Sequence, residues 1–563
     1  MWWDALINNR DLTRMHEIAS VLLRYGFDDV VSRLGMARTL ERAGRLLKRH
    51  GGADKSALSS PERLTEALQI LGPTFIKLGQ ILATRVDLFA PEWIRAFETL
   101  QDRVPAVEFD AVLAQLRVDL GGDPRDIFRY LDTQPLAAAS LAQVHRAQLQ
   151  DGTDVILKIR RPGVRDVVEA DLRLLERVAE IAEHEVTDLR RYQPRQIVAQ
   201  FAVTLRRELD FAVECHSAER IAAQFADANT HIIIVPKVYW EWTSERLNVQ
   251  QYISGIHGRD LAAVDAAGLD KKLLAKRGAE AVLKMVLEHG FFHADPHPGN
   301  VYYLTDNRLA LIDFGMVGHL SDERRAEVVD LLWGLMRRDT RRIIDVLQDW
   351  TEDAAAMEQS SRLAQDIDLF LDRYHGLPLQ RLDLAAMLRD LAALIRAHQL
   401  TLPPDLAVLF KTLITLDGFG RMLDPDFDIV GTLTPFLQRL LWRRYRPENL
   451  LRRGAAEVSG TLQALQNVPV ELRRILRNLR RGSLQINLDM RRLDHFGHQI
   501  DRAASRVTVG LVTAALIIGS SIVATLAEGE GWLGIPPLGI LGFGAAVAGG
   551  VWVLLSIWRG RKD

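Results

Sequence analysis

The sequence predicts an α+β fold in two lobes, with a helical extension in front and a hydrophobic helical hairpin behind. Three observations predict it. Strand-like runs come early in the middle of the chain and helical runs follow. A short strand hairpin carrying polar, catalytic-looking residues lies between them. Near the C-terminus, the 21 residues from Val507 to Ala527 carry no charge, enough to cross a hydrocarbon layer as a helix.

Taken in order, residues 11–50 read as helical, with Ile18, Val21, Leu22 and Leu23 among the apolar positions. A second helical region runs from about Pro61 to Leu100. Within it, Leu71 to Arg85 sets Leu71, Phe75, Leu78 and Leu82 on one stripe, and Lys77, Gln80 and Thr84 on another face. Val155–Ile159, His231–Trp240 and Leu247–Ser254 read as strands, and a long helical stretch from about Val164 to Ala226 joins the first two. After Gly255 the chain is mostly helical. The exception is the hairpin, whose arms Val301–Leu304 and Leu309–Ile312 flank the turn Thr305-Asp306-Asn307. The resulting division is an extension at 1–125, a first lobe at 126–255, a second at 256–430, an arginine-rich helical region at 431–505 and two membrane helices at 506–558.

Charge is nearly balanced, with 71 basic and 73 acidic residues, so net charge points to no partner. The single cysteine, Cys215, excludes a disulfide framework or a cysteine metal site within one chain and suits a reducing compartment. The first residues lack a cationic region followed by an apolar run, so no secretory signal is expected. Between Arg439 and Arg481 stand eleven arginines against Glu448, Glu457 and Glu471. A solvated helix face is the plain explanation, but the apolar runs that follow favour attraction to anionic headgroups. Few aromatics interleave, so nucleic acid is not expected as a partner. Arg502 and Arg506 precede the first uncharged run, and Arg559, Arg561 and Lys562 follow the second, Ile535–Trp558. The only charged residues between the two runs are Glu528 and Glu530. Basic flanks stay inside, so both ends and the soluble part should face the cytoplasm at the inner membrane.

The chemistry is written in HADPHPGN, His293 to Asn300, and in Asp313-Phe314-Gly315 thirteen residues on. Asp295 and Asn300 have the spacing of a kinase catalytic loop, in which the Asp orients or deprotonates the acceptor and the Asn holds a metal; Asp313 would hold another. Hard oxygen ligands suit Mg²⁺ and the phosphates it neutralises. His289, His293 and His297 admit a zinc alternative, which leaves the aspartates without a role. Upstream, Lys158 ends an apolar strand, where a lysine pairs with phosphates and with a helix glutamate. Glu208, Asp210 and Glu214 are the candidates, and on one helix Glu208 and Glu214 would point about 120° apart, toward different partners. No G-x-G-x-x-G precedes Lys158; Pro135 to His145 is alanine-rich instead. No A-P-E follows Asp313, so the platform for a peptide substrate is expected to be missing.

Together these residues resemble the UbiB family of aarF-domain, atypical kinase-like proteins. Lys77-Leu78-Gly79-Gln80 looks like its K-x-G-Q motif, Ala137-Ala138-Ala139-Ser140 its alanine-rich loop, and Glu208-Leu209-Asp210 its E-x-D motif. The resemblance implies a protein-kinase-like fold with the K-x-G-Q helix laid over the protein-substrate site. Lys77 and Gln80 would face the nucleotide pocket, with Lys77 paired to Glu208 and Glu214 to Lys158. It also implies ATP or ADP with Mg²⁺ as cofactors. Expected partners are anionic membrane lipids and quinone-pathway precursors or enzymes, with a homodimer allowed. The implied function is a membrane-anchored ATPase supporting ubiquinone biosynthesis rather than a protein kinase. The alternatives are a phosphotransferase on a small molecule or lipid, and a non-enzymatic scaffold. One departure stands at the lobe junction: Gln250-Gln251 replaces the expected Met-Glu pair before Tyr252, so Gln251 and Tyr252 are the candidates for contact with the base.

Overall fold

Alternation of side chains writes the first sheet. Along Asp154–Arg160 the residues Val155, Leu157 and Ile159 turn inward, which leaves Ile156 and Lys158 on the other face. The computed structural model describes residues 9–34, 36, 58–100, 104–185, 193–226, 232–337, 339–350, 360–374, 383–398, 400 and 402–444. All belong to one compact unit, Met1–Leu450, distinct from a second, Leu451–Asp563. The arginine-rich run beyond Arg444 and both expected membrane helices therefore lie outside the described residues. Among the described residues, no helix is long and apolar enough to cross a membrane.

The strands, in chain order, are β1 (Phe128–Leu131), β2 (Ala137–Ala138), β3 (Ala142–Leu149), β4 (Asp154–Arg160), β5 (Ile233–Ile234), β6 (Leu247–Gln251), β7 (Ile256–His257), β8 (Phe291–His293), β9 (Val301–Leu304), β10 (Arg308–Leu311) and β11 (Val317–His319). The first sheet runs β1-β3-β4-β6, with β2 paired to β3; the second runs β5-β10-β9-β7, and β8 pairs with β11. The expected β9–β10 hairpin is present. Asp306 and Asn307 take positive φ values of 62° and 55°, the left-handed backbone that Asn and Asp tolerate best after glycine.

Two expected elements are broken, each for a local reason. The long helix after β4 is three: Val164–Glu185, Pro194–Glu208 and Phe211–Gln224. Pro194 opens the second. Asp210, in extended backbone, accepts a hydrogen bond from the Ala212 N–H and so starts the third. The expected strand over His231–Trp240 is reduced to β5, because Pro236 interrupts it. Its two sides then join different partners: Ile233 and Ile234 run parallel to β10, whereas Val238 bridges to Gln250.

The extension is also segmented. Gly72, at φ 96°, separates Ser60–Leu71 from Pro73–Leu82, so Leu71 belongs to the earlier helix. A Cβ on Gly79 would come within 2.1 Å of Leu100 Cδ1 and 3.1 Å of Leu68 Cδ1, so the K-x-G-Q glycine permits close packing against both. Arg14 donates to both carboxylate oxygens of the buried Asp171, at 2.6 and 3.1 Å, and to the Leu71 carbonyl at 2.5 Å. It thereby fastens the helix Asn9–Arg24 to the helix Val164–Glu185. Further on, Asp87 accepts from the Leu402 N–H at 3.3 Å, and Arg396 donates to the Val86 carbonyl. The extension thus grips both the helix Val164–Glu185 of the first lobe and the later segment at Arg396 and Leu402.

Candidate active site

Register puts the strand lysine in place. Lys158 lies opposite Val144 on β3 and Asn248 on β6, on the face away from the inward-turned Val155, Leu157 and Ile159. Its ammonium donates to Glu214 Oε1 and Oε2 at 2.9 and 2.8 Å, and lies 3.5 Å from Asp313 Oδ1. Burial opposes the lysine's charge, but Asp313 and Glu214 outweigh it and hold the ammonium above the usual lysine range. Glu214 is pushed up by burial, against the pull of Lys158. Asp313 is held well below the usual carboxylate range by Lys158, with Lys77 adding to the effect. Its side chain is still 52% exposed, so a cation can reach it from solvent.

Asp313 occupies left-handed backbone, φ 59°, and accepts a hydrogen bond from the Gly315 N–H at 3.3 Å. One residue earlier, the Ile312 N–H donates to the Asn300 carbonyl at 3.0 Å. Asn300 in turn gives its side-chain N–H to the Asp295 carbonyl at 3.2 Å, so its amide oxygen points away from that carbonyl. The hairpin thereby holds Asp313 beside the loop His293–Asn300. His293, fully buried, anchors the loop from beneath: its Nδ1 accepts from the Asp295 N–H at 3.1 Å, and its Nε2 faces the Ile312 carbonyl at 3.2 Å. That tautomer is neutral, and burial lowers the imidazole's pKa. Both ring nitrogens are occupied, which removes His293 from a zinc site. Among the described residues, no group of three His, Cys, Asp or Glu side chains is disposed to hold a metal.

The K-x-G-Q helix, Pro73–Leu82, brings Lys77 Nζ to 3.2 Å from Glu208 Oε2. Glu208 and Glu214 do have different partners, but the cause is the helix break at Leu209-Asp210 rather than their angle on one helix. Gln80 donates to the Leu100 carbonyl at 3.4 Å. The alanine-rich segment is a tight hairpin: Ala137 and Ala138 pair with Val144 and Gln143, and the Ala139 N–H donates to the Ala142 carbonyl at 2.8 Å. Ser140 and Leu141 form its buried tip. Leu141 packs with Val164, Val168, Phe201 and Leu205, beside Leu78 and Ile81 of the K-x-G-Q helix. A glycine-rich flap could rise over phosphates; this tip is pinned by an apolar side chain.

Gln251 and Tyr252 each have a protein partner. The Gln251 side-chain oxygen accepts from the Lys237 N–H at 3.4 Å, and the Tyr252 ring lies under the Arg146 guanidinium at 4.5 Å. Sequence reasoning missed two residues at the catalytic loop. Lys411, on the helix Pro404–Leu423, reaches 3.6 Å from Asp295 Oδ1; the signal was a lone lysine in an otherwise apolar helical run. Gly258 packs its Cα where a Cβ would meet the Pro298 carbonyl at 2.3 Å. Nothing local in the sequence marks it.

The sequence matches the ABC1 atypical kinase-like domain over residues 99–347, the UbiB helical domain over 367–428 and the ABC1/UbiB kinase-like C-terminal domain over 491–559. It is 31% identical over 555 residues to "Probable protein kinase UbiB" of Xylella fastidiosa (strain M12), covering 97% of this chain and 99% of that protein. The protein of the same description from Cellvibrio japonicus (strain Ueda107) is 34% identical over 476 residues, covering 81% and 84%. That from Pseudomonas putida (strain W619) is 33% identical over 531 residues, covering 93% and 95%. The lysine, glutamate, aspartate and asparagine gathered around Lys158 and Asp295 are set in a kinase-like domain, and the chain belongs to the UbiB family of ABC1 atypical kinase-like proteins.

Proposed function

We propose that this chain is a membrane-anchored, Mg²⁺-dependent ATPase that supports ubiquinone biosynthesis, acting at the cytoplasmic face of the inner membrane. The observation that carries the reading is the clamp on Lys158, held by Glu214 and Asp313 beside a loop that joins Asp295 to Asn300. The donor set fits a magnesium triphosphate. Asp313 and the Asn300 amide offer hard oxygens, and Mg²⁺ sites commonly use one or two protein oxygens with phosphates completing the shell. When bound, the cation neutralises phosphate charge. Lys158 would hold inner phosphates, Asp295 would orient the attacking hydroxyl or water, and His293 fixes the loop that carries Asp295.

Two features favour an ATPase or small-molecule reaction over protein phosphorylation. After β11 the helix Asp322–Arg337 begins almost at once, leaving little room for a peptide platform. The extension brings Lys77 to Glu208, at the end of the helix Pro194–Glu208, and their charges act on Asp313 and Glu214. Quinone precursors partition into bilayers, so the two apolar runs and the arginines before them suit a protein that handles such clients.

The test is Mg²⁺-dependent phosphate release by the purified full chain, with and without anionic liposomes and phenolic quinone mimics. Stimulated release that Asp313→Asn abolishes supports the reading. No release under any of these conditions overturns it, and label appearing on an extracted lipid instead of as free phosphate makes the chain a phosphotransferase. Quinone-intermediate profiles of a null strain rescued with wild-type or Asp313→Asn protein test the biosynthetic role.

A further inference from the structure

We infer that Lys411 is a receptor for the terminal phosphate of the bound nucleotide, acting beside Asp295 as the cation that the catalytic loop itself does not carry. The inference rests on the nucleotide reading above. From His293 to Asn300 the loop has no lysine or arginine. Its remaining cation candidate, His297, has Nδ1 occupied by the Gly299 N–H at 2.8 Å, and its Nε2 lies 3.5 Å from Asp295 Oδ2. The other oxygen, Oδ1, faces Lys411 Nζ at 3.6 Å. Asp295 is therefore held from both sides, and the stronger permanent charge comes from a helix more than a hundred residues away in sequence.

That helix is a rigid support. The neighbouring Thr412 hydroxyl donates to the Ala294 carbonyl at 3.0 Å, and Phe419, two turns on, stacks against Tyr303 of β9 with ring centroids 6.5 Å apart. Lys411 is mostly enclosed, its side chain 17% exposed, so its stem is packed and its charge is held beside Asp295. Glu98, the last residue of the helix Pro91–Glu98, lies near enough for the Lys411 charge to favour its ionised form, with Asp295 opposing it. An ammonium held by one carboxylate at 3.6 Å, looser than a direct hydrogen bond, is a group that an incoming phosphate can compete for. The negative charge of Glu98 opposes an arriving phosphate there.

A purely structural ion pair would behave differently, because its loss would weaken all nucleotides alike. The experiment is calorimetric binding of MgADP and of Mg-AMPPNP to the full-length protein in nanodiscs, for wild type, Lys411→Met, Lys411→Arg and Glu98→Gln. Losing a charged hydrogen bond to one phosphate should lower triphosphate affinity about tenfold or more in Lys411→Met while leaving diphosphate affinity within about twofold. Lys411→Arg should keep most of the preference, and Glu98→Gln should raise triphosphate affinity. Equal changes for the two nucleotides, or none, in Lys411→Met overturn the inference. Should that variant not fold, an unchanged triphosphate preference in Glu98→Gln, whose side chain is at the surface, overturns it as well. A wild-type protein that binds neither nucleotide brings down the ATP reading and this inference together; one that binds the diphosphate and triphosphate equally brings down this inference alone.

Discussion

Lys158 and Glu214 meet through two hydrogen bonds of 2.9 and 2.8 Å although 56 residues and two intervening helices separate them. The pair is already assembled in the same arrangement that brings Asp313 to Lys158 and Lys77 to Glu208. The site therefore needs no large movement of the Glu214 helix to become competent.

If that pair is the phosphate clamp, Glu214→Gln should release Lys158 toward Asp313. The freed ammonium would then compete with Mg²⁺ for the same carboxylate. Phosphate release should fall about a hundredfold, and the Mg²⁺ concentration needed for half-maximal rate should rise. A Mg²⁺ titration of steady-state release checks both; an unchanged magnesium requirement would show that the glutamate does not set the lysine's position.

Asp313→Asn and Asp313→Ala separate charge from backbone. Asparagine tolerates left-handed φ nearly as well as aspartate, whereas alanine does not. Both should abolish release and lose the attraction to Lys158, but the alanine variant should be less stable than the asparagine one by about a further 1 kcal/mol. Urea denaturation of the two variants measures the difference.

Gly258 offers a test of loop placement by sterics alone. A Cβ there would stand 2.3 Å from the Pro298 carbonyl and 2.9 Å from that of Val301, both backbone atoms that cannot rotate aside. Gly258→Ala should destabilise the protein by about 1–3 kcal/mol. It should also displace the loop bearing Asp295 and Asn300, cutting phosphate release more than nucleotide affinity. Parallel denaturation and binding measurements distinguish the two effects.

Two buried imidazoles give the fold a pH dependence. Burial lowers the pKa of His145 and of His293, against the carbonyl hydrogen bonds that favour protonation. The unfolded chain therefore binds protons first as pH falls below the ordinary histidine value of about 6.5. Their stabilisation is complete above that value and is lost progressively as pH drops toward the lower folded values. The denaturation midpoint should fall as pH drops below about 6.5. The slope should be shallower in His145→Gln, which replaces one of the two rings; an identical slope would exclude His145 as a source.

Much of the site was legible in the sequence because its chemistry is local. The loop from His293 to Asn300, the turn Asp306-Asn307 and Asp313 all lie within one hairpin and its flanks, where spacing alone fixes who can meet whom. Lys158 was legible as the polar residue on an apolar strand. The two glutamates were legible as candidates, but their assignment by helical angle used one continuous helix that in fact breaks at Leu209-Asp210.

The sequence by itself determined the residue types, their order, the strand alternation and the hairpin, since these depend on neighbours within a few bonds. Only the tertiary structure decided that Lys411 faces Asp295, that Leu141 pins the alanine-rich tip, and that Gly258 must lack a side chain. Each of those contacts joins segments far apart in the chain. Side-chain spacing carries no information about such meetings until packing of the core has chosen which faces come together.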